Sequence, residues 1–535
     1  MKLKIAKKFR RCILGNRVFL LIVLLYLITR IFSLLQFAPH NDEVNAAQWS
    51  QLIHADWKAN KYVSISGDFF GEYKDPLQYW LGALLVDSFQ NPIIGIRICS
   101  LLVGSVGLIF TYLLVLKIFK SSTIARLVAI MIVFSDYFFM MDSLFLAEVY
   151  VYGFGAVFLY FIYLTVERFW DGRFSWASVI LAVLFCVLVL LVKQSGIIWI
   201  VLGFAIFGLF LVSNDLLKKR NFKKVAYSTG LIAAISLTGK IAYNLIIPQK
   251  YVHIRESGTL DRIHTFNFDE LLQFPTDKWV DGLRFYFQDL LAIELFWFWV
   301  IPVTLFIFLV FTKRIKPDWR LLCVLTVIWI VSFMPFVLML KMRYIRHFGM
   351  GMYFCYFLLG YILFLTFCST RALKTTGILL LVAFLIYRFY TSYVPLVRYG
   401  QTDLAVIETR PGWPSGIGIY EMVKRVKNLS PGVLLYDSQW GHPGTALVVF
   451  AKKFPQLKLI PASTANLRRI RSLYNSVKAQ GMDLHFVYDS RGQNDRSWRH
   501  LVFVDKILCA KKEIIHKEYR GEVFGNTSIV ICTAD

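Results

Sequence analysis

Two adjacent carboxylates, Asp42 and Glu43, come directly after the first apolar run of the chain. A carboxylate at the mouth of a helix bundle can serve as a general base or as a metal ligand. A third acid, Glu148, interrupts another apolar run, and an ionisable residue at such a depth marks a functional site by default. Asp142 is the competing candidate, but it sits further out and can be solvated at less cost. The alternative for Asp42 and Glu43 is a pair of solvated loop acids.

A lysine among aromatic residues follows further along the same loop. Lys74 is preceded by Tyr73 and followed by Pro76, Tyr79 and Trp80. At the entry to an interfacial helix, this arrangement could present the ammonium to a lipid phosphate while the rings lie at headgroup level. A simple interfacial anchor would have the same composition.

The elements that position these residues are membrane spans. The chain has 535 residues and is 57% hydrophobic, and a soluble protein of this size would need more polar surface. About eleven apolar runs are each long enough to cross a bilayer as a helix. The first run lacks a small-residue cleavage site, so we interpret it as a retained helix. The predicted spans lie near 18–37, 93–116, 122–140, 147–166, 174–192, 196–213, 226–247, 291–312, 320–340, 347–367 and 373–392.

Charge orients these spans in the membrane. The net charge is +25, and the basic residues concentrate in alternate short loops such as 218–224 and 313–320. The positive-inside rule then places the N-terminus in the cytoplasm, and the odd number of spans places the C-terminus outside. Loop charge accounts for the balance, so we expect no nucleic acid partner. The sequence predicts a multi-pass protein of the cytoplasmic or plasma membrane.

Some basic residues fall on the opposite, outer side. Lys193 ends one span, and Lys341, Arg343 and Arg346 lie between two others. These residues break the positive-inside trend, which an anionic ligand such as phosphate or pyrophosphate would explain. Snorkelling of basic side chains at helix ends is the alternative.

Two long outer loops and a C-terminal domain complete the organisation. The first loop, 38–92, predicts short interfacial helices, and the second, 248–290, contains His264 among other charged residues. Residues 393–535 predict a small extracytoplasmic α/β domain with no nucleotide-binding fingerprint, in which Cys509 and Cys532 could form a disulfide. The predicted strands are 433–436, 457–460, 484–488, 513–518 and 528–532, and the predicted helices are 419–427, 445–453 and 465–480.

Residues 18–370 resemble the C-type (GT-C) membrane glycosyltransferases, in the branch of the dolichyl-phosphate-mannose protein mannosyltransferases and the lipid A aminoarabinose transferases. The resemblance is carried by the order of several short motifs. They are Asp42 with Glu43, the run from Tyr73 to Leu77 with Tyr79 and Trp80, Arg97 opening the second span, Glu148, Lys193 with Gln194, and Arg343 with Tyr344. The fold class expected for residues 1–392 is therefore an all-α GT-C-like membrane domain, followed by the α/β domain.

The resemblance implies a transferase that uses a sugar on a polyprenyl-phosphate carrier. Asp42 would be the base or the acceptor-orienting group, with Glu43 and Glu148 as the other catalytic acids. Lys74 would contact the carrier phosphate, although Asp75 stands where the family has a proline and could pair with it. The substrate-binding residues that we expect are Tyr73, Tyr79 and His264.

The chemistry of such a transfer suits these residues. A phosphate leaving group needs charge neutralisation, which Lys74, Lys193, Arg343 or Arg346 could supply. A carboxylate would deprotonate the lipid, glycan or protein acceptor, and one direct displacement would invert the anomeric centre. The three acids could hold a divalent cation, but monosaccharide-transferring relatives do not generally rely on one, so we expect no metal and no other cofactor.

Two other functions are compatible with the same residues. A transporter or flippase for a lipid-linked sugar would use similar cations and apolar grooves, but it needs no catalytic acid. Transporters often contain inverted repeats, and the sequence has no internal repeat that we detect. A membrane polysaccharide polymerase or ligase would also carry a large outer loop, but nothing in that class matches the combination of Asp42 and Lys74.

Overall fold

The computed structural model describes most of the chain, with several gaps. The described residues are 16–66, 74–216, 221–248, 251, 268–341, 343–367, 370–402, 405, 418–436, 443–461, 467–489, 509–519 and 522–534. Tyr73 and His264 lie outside these residues.

Among the described residues, seven helices are long and apolar enough to cross a membrane. They are α1 (Arg17–Gln36), α6 (Pro92–Phe119), α9 (Ala147–Trp170), α12 (Phe222–Ile246), α16 (Trp319–Met339), α17 (Gly349–Phe367) and α18 (Arg371–Arg388). The chain is therefore an integral, multi-pass membrane protein. Three further apolar helices, α10 (Trp176–Val192), α11 (Ile197–Ser213) and α15 (Ala292–Phe311), coincide with predicted spans.

The predicted span 122–140 is broken into two helices. These are α7 (Ser122–Phe134) and α8 (Asp136–Ser143), and the chain bends by 63° between them. Ser135 adopts an extended conformation at the break, and its hydroxyl accepts a hydrogen bond of 3.1 Å from the backbone N–H of Phe138. A serine in this position caps the second helix and so favours a break over continuation. Apolar composition alone predicted one continuous span.

The outer loops contain short helices, as predicted for the first of them. Its helices are α2 (Asn41–Ala55), α3 (Trp57–Asn60), α4 (Val63–Ser66) and α5 (Leu77–Leu85). The described part of the second loop holds α13 (Phe268–Leu272), α14 (Thr276–Arg284) and a π-helical turn (Phe285–Leu291). A further helix, α19 (Val394–Tyr399), follows the last span.

The C-terminal domain contains a five-stranded mixed sheet of order β2-β1-β3-β5-β4. Strands β1, β2 and β3 are parallel, and β5 and β4 are antiparallel. The elements are α20 (Ile419–Lys427), β1 (Gly432–Tyr436), α21 (Pro443–Val449), β2 (Leu457–Pro461), α22 (Leu467–Ala479), β3 (Asp483–Asp489), β4 (Cys509–Tyr519) and β5 (Glu522–Ala534). All five strands were predicted from the sequence. A disulfide joins Cys509 to Cys532 across β4 and β5.

The chain divides into two compact units. The bundle unit contains Met1–Ser33, Gly71–Gln78 and Ser100–Ser392. The sheet unit contains Leu34–Phe70, Tyr79–Cys99 and Tyr393–Asp535. Most of the first outer loop therefore shares a unit with the C-terminal sheet.

Small residues allow close helix packing within the bundle unit. A Cβ added to Gly107 of α6 would lie 2.8 Å from the Cα of Gly153 on α9. A Cβ on Gly155 would meet the ring of Trp199 on α11 at 2.3 Å. Glycine at these positions lets the backbones of packed helices approach each other, as is usual in membrane helix bundles. The contacts fix α9, the helix that carries Glu148.

Candidate active site

The candidate site is built on the N-terminus of α2 in the sheet unit. His40 caps this helix in an extended conformation, and its Nδ1 accepts a hydrogen bond of 3.2 Å from the backbone N–H of Asp42. The backbone N–H of His40 in turn donates a hydrogen bond of 3.2 Å to Glu43 Oε2, which completes a capping box. Asp42 is the second residue of the helix, and its side chain is partly buried.

Glu43 forms a fully buried ion pair with Arg97 of α6. The guanidinium Nε and Nη2 donate to the two carboxylate oxygens at 2.6 Å each. Its Nη1 also donates to the carbonyls of Leu34 at 2.7 Å and Phe37 at 3.0 Å. A buried bidentate pair is costly to break, because removal of one partner leaves a desolvated charge. These contacts favour a positioning role for Glu43, since both its oxygens are already engaged.

The C-terminal domain reaches the surroundings of this ion pair. Tyr420 of α20 is half-buried there, and burial raises its pKa although the charge of Arg97 acts in the opposite direction. Asn91 donates to its hydroxyl at 3.4 Å.

Tyr79 is also buried in the sheet unit, where its ring packs edge-to-face on Trp49 with centroids 4.9 Å apart. Tyr79 therefore has a packing role in the first outer loop.

The segment that contains Lys74 lies in the bundle unit, directly before α5. Lys74 is half-buried, while the neighbouring Asp75 is buried and accepts a 2.9 Å hydrogen bond from the Tyr243 hydroxyl of α12. Gln78 donates to the Phe145 carbonyl at 2.8 Å. These two hydrogen bonds tie the segment to α12 and to the chain ahead of α9.

The bundle unit brings Glu148, Lys193 and Arg346 to one small cavity. Glu148 lies in the first turn of α9, and Lys193, which ends α10, approaches its carboxylate to 2.7 Å. The Lys193 side chain remains 35% exposed. Arg346 enters from a 3-10 turn (Ile345–Phe348) and interacts electrostatically with Glu148. The cavity measures about 30 Å³, which is room for a water molecule or two.

The other basic residues between α16 and α17 contact the second outer loop. Arg343 donates to the backbone carbonyl of Lys278 on α14, and burial lowers its pKa. Lys341 lies 2.6 Å from Glu270 of α13. These contacts join the chain between α16 and α17 to the second outer loop.

The interpretation that Asp142 sits further out, where it can be solvated at less cost, is wrong. Asp142 is buried, lies 3.6 Å from Arg30 of α1 and accepts a hydrogen bond from the Tyr152 hydroxyl. The reason is the break at Ser135, which carries α8 through the interior of the bundle. Arg30 also donates to the Val133 carbonyl at 2.6 Å, near the C-terminal end of α7. The sequence signal for this network was the arginine inside the first apolar span.

Sequence reasoning missed several residues that line this cavity, among them Tyr137, Tyr152 and His347. The Tyr137 hydroxyl donates a hydrogen bond of 2.9 Å to the Arg346 carbonyl, and the Tyr137 backbone N–H donates one of 3.3 Å to the Glu294 carboxylate. Tyrosines in apolar spans have no sequence signature that separates a cavity lining from a packing role. His347 did have such a sequence signature, because it directly follows Arg346 in the chain.

The described residues contain no group of three or more histidine, cysteine, aspartate or glutamate side chains suited to a metal ion. The expectation of a metal-independent site stays a prediction.

Part of the chain matches a known protein family in sequence. Residues 74–242 match the family described as dolichyl-phosphate-mannose-protein mannosyltransferase. No curated protein matches the chain in sequence.

Two solved structures of ArnT share the architecture. ArnT from Cupriavidus metallidurans in the apo state aligns with a TM-score of 0.53 at 12% identity, over 96% of this chain and 97% of ArnT. ArnT bound to undecaprenyl phosphate aligns with a TM-score of 0.51 at 12% identity, over the same 96% and 97%. An oligosaccharyltransferase from Archaeoglobus fulgidus, in complex with zinc and sulfate, aligns with a TM-score of 0.46 at 12% identity, over 95% of this chain and 72% of that one.

The family match and the two ArnT structures confirm the resemblance that the motifs indicated. The chain has the fold of the C-type (GT-C) membrane glycosyltransferases, and it resembles their protein mannosyltransferase and aminoarabinose transferase branch.

Proposed function

We propose that this protein transfers a sugar from a polyprenyl-phosphate carrier to an extracytoplasmic lipid, glycan or protein acceptor, with inversion at the anomeric carbon. The observation that carries the proposal is the cavity where Glu148 holds Lys193 beside Arg346. Two cations and one acid at a cavity leave net positive charge for an anionic ligand. The match of residues 74–242 to the mannosyltransferase family supports the class of reaction.

The cations suit a phosphate leaving group. As the bond between the anomeric carbon and the phosphate oxygen breaks, negative charge grows on the phosphate, and fixed cations stabilise it. The 2.7 Å contact with Glu148 positions the Lys193 ammonium group, and the side chain is still 35% exposed. Lys193 can therefore exchange this carboxylate partner for a phosphate oxygen. Glu148 in this scheme positions the lysine.

The acceptor requires a base, and Asp42 is our candidate. The chain order places Asp42 after α1 and Glu148 at the start of α9, so the predicted alternation of spans puts both on the outer side of the membrane. Glu43 and Arg97 fix the start of α2, which carries Asp42. Asp42 would take the proton of the acceptor hydroxyl or amine as the acceptor attacks the sugar.

The carrier class rests on the relatives. ArnT, which shares this fold, has been solved with undecaprenyl phosphate bound. The sugar and the acceptor are best found by assay. Purified protein would be incubated with a panel of polyprenyl-phosphate sugars and candidate acceptors, with and without EDTA, and consumption of each donor measured.

We expect one donor to be consumed, EDTA to leave the rate unchanged, and Lys193→Gln to reduce the rate by about 100-fold, in the range found when a single transition-state donor is removed. Lys58→Gln is the matched control, because Lys58 is an exposed lysine of the first outer loop. A donor that is translocated across vesicles but never consumed would instead support the flippase. Full activity of Lys193→Gln would exclude the leaving-group role of this lysine.

A further inference from the structure

A second, larger cavity lies in the bundle unit, away from the residues considered so far. It measures about 160 Å³ and is lined by α7, α15, α17 and α18. Its walls are almost entirely apolar, with Leu127, Pro302 and Leu381 among them, and Lys374 is the charged residue among the described residues that line it. An apolar groove between spanning helices suits a hydrocarbon chain.

The groove lies at the opposite end of the bundle from Glu148. It includes Thr123, near the start of α7, whereas Glu148 begins α9 after the chain has crossed back through α7 and α8. It also includes Phe367, the last residue of α17, whereas Arg346 lies just before the first residue of that helix. The positive-inside rule predicts that this end faces the cytoplasm.

The end of the groove near Thr123 and Lys374 favours negative charge. Thr123 and Lys374 lie in the first turns of α7 and α18, where the helix dipoles favour negative charge, although Ser121 and Thr370 already cap one N–H group of each helix. Lys374 is exposed, and no ion pair joins it to a carboxylate within the described part of the chain. A cation and two helix N-termini next to an apolar groove match a phosphate headgroup on an acyl chain.

We propose that this groove binds an anionic phospholipid of the cytoplasmic leaflet, with an acyl chain along Leu127 and Leu381 and the phosphate at Lys374. Basic pockets between spanning helices on the cytoplasmic side bind anionic headgroups in other membrane proteins. A zwitterionic lipid places its own cation near Lys374, so it binds less well. The site is independent of the transferase proposal.

The test is native mass spectrometry of the full chain in detergent, titrated with dioleoyl phosphatidylglycerol or dioleoyl phosphatidylcholine. We expect tighter binding of phosphatidylglycerol and a loss of about fivefold in its affinity for Lys374→Gln, the effect of one lysine near an anionic headgroup. Lys223→Gln is the control, because Lys223 is an exposed lysine near the start of α12 at the same end of the bundle, and it should change the affinity by less than about twofold.

A second variant tests the groove itself. Leu381→Trp fills the apolar part and should weaken binding of both lipids, while Lys374→Gln weakens only the anionic one. Equal binding of the two lipids to the unmodified protein would overturn the proposal. Equal losses for Lys374→Gln and Lys223→Gln would also overturn it, because the headgroup would then bind elsewhere. Undecaprenyl phosphate displacing phosphatidylglycerol at equal concentration would assign the groove to an isoprenoid chain and reject our occupant.

Discussion

At the scale of single residues, two neighbouring acids take different places. Glu43 has both oxygens engaged by Arg97 and the His40 backbone N–H, whereas Asp42 is the second residue of the same helix and is partly buried. A carboxylate whose two oxygens are both held by a guanidinium has little room to accept a hydrogen bond from a substrate hydroxyl. The catalytic assignment therefore rests on Asp42.

Asp42→Asn should abolish transfer, because an amide cannot take the acceptor's proton, and the loss should be at least about 100-fold. The measurement is donor consumption by the purified variant, with membrane insertion checked by fractionation. Asp56→Asn is the matched control on the same loop, since Asp56 caps α3 and asparagine caps equally well. Normal turnover by Asp42→Asn would remove this residue from the mechanism.

Arg97→Met should destabilise the sheet unit by about 3–5 kcal/mol, because it leaves a buried carboxylate unpaired. The Leu34 and Phe37 carbonyls would also lose their donor. Thermal unfolding in detergent measures the effect. Arg425→Met breaks a half-exposed pair with Glu421 and should cost less than about 1 kcal/mol. Similar shifts for the two variants would contradict the role assigned to the buried pair.

At the scale of elements, the bundle depends on the close approach of helix backbones and on the break between helices α7 and α8. Gly107 and Gly153 bring α6 against α9, and Ser135 divides one apolar run into α7 and α8. The break exposes carbonyls of α7 within the bundle, and Arg30 donates to one of them. Such a break inside a membrane is tolerated because side chains satisfy the freed backbone groups.

Gly107→Ala should lower the thermal stability of the bundle, because the new methyl group would lie 2.8 Å from the Gly153 Cα and the helices would have to separate. Overpacking of this kind costs about 1–3 kcal/mol. Gly230→Ala is the control, since nothing lies within 4 Å of its added Cβ, and alanine there should be neutral or stabilising by about 0.5–1 kcal/mol. Equal destabilisation of both variants would argue against tight packing at Gly107.

At the scale of the whole molecule, the arrangement predicted from charge puts the candidate site and the C-terminal domain outside, and the lipid groove inside. The test uses single cysteines in intact cells, on a Cys323→Ala background because Cys323 is the exposed free thiol among the described cysteines. An impermeant maleimide should label Lys58→Cys in intact cells but Lys223→Cys only after permeabilisation, because both side chains are exposed and the rule places them on opposite sides. The reverse labelling pattern would show that the topology is opposite to the one predicted from charge.

The sequence by itself determined where helices and strands lie. Apolar length and strand alternation are local properties, so each predicted span coincides with one helix or a broken pair, and the five predicted strands appear in the sheet. The identities of Asp42, Lys74, Glu148 and Lys193 as candidates were also evident, because ionisable residues stand out against an apolar background.

Only the tertiary structure decided which charges are paired. Arg97 meets Glu43 across 54 positions, and Glu148 meets Lys193 across 45, so no local pattern couples them. Asp142 looked solvated in the sequence and is buried against Arg30, because the turn at Ser135 sends its helix inward. The cost of burying a charge depends on partners that folding brings together, which is why residue types were predictable and residue roles were not.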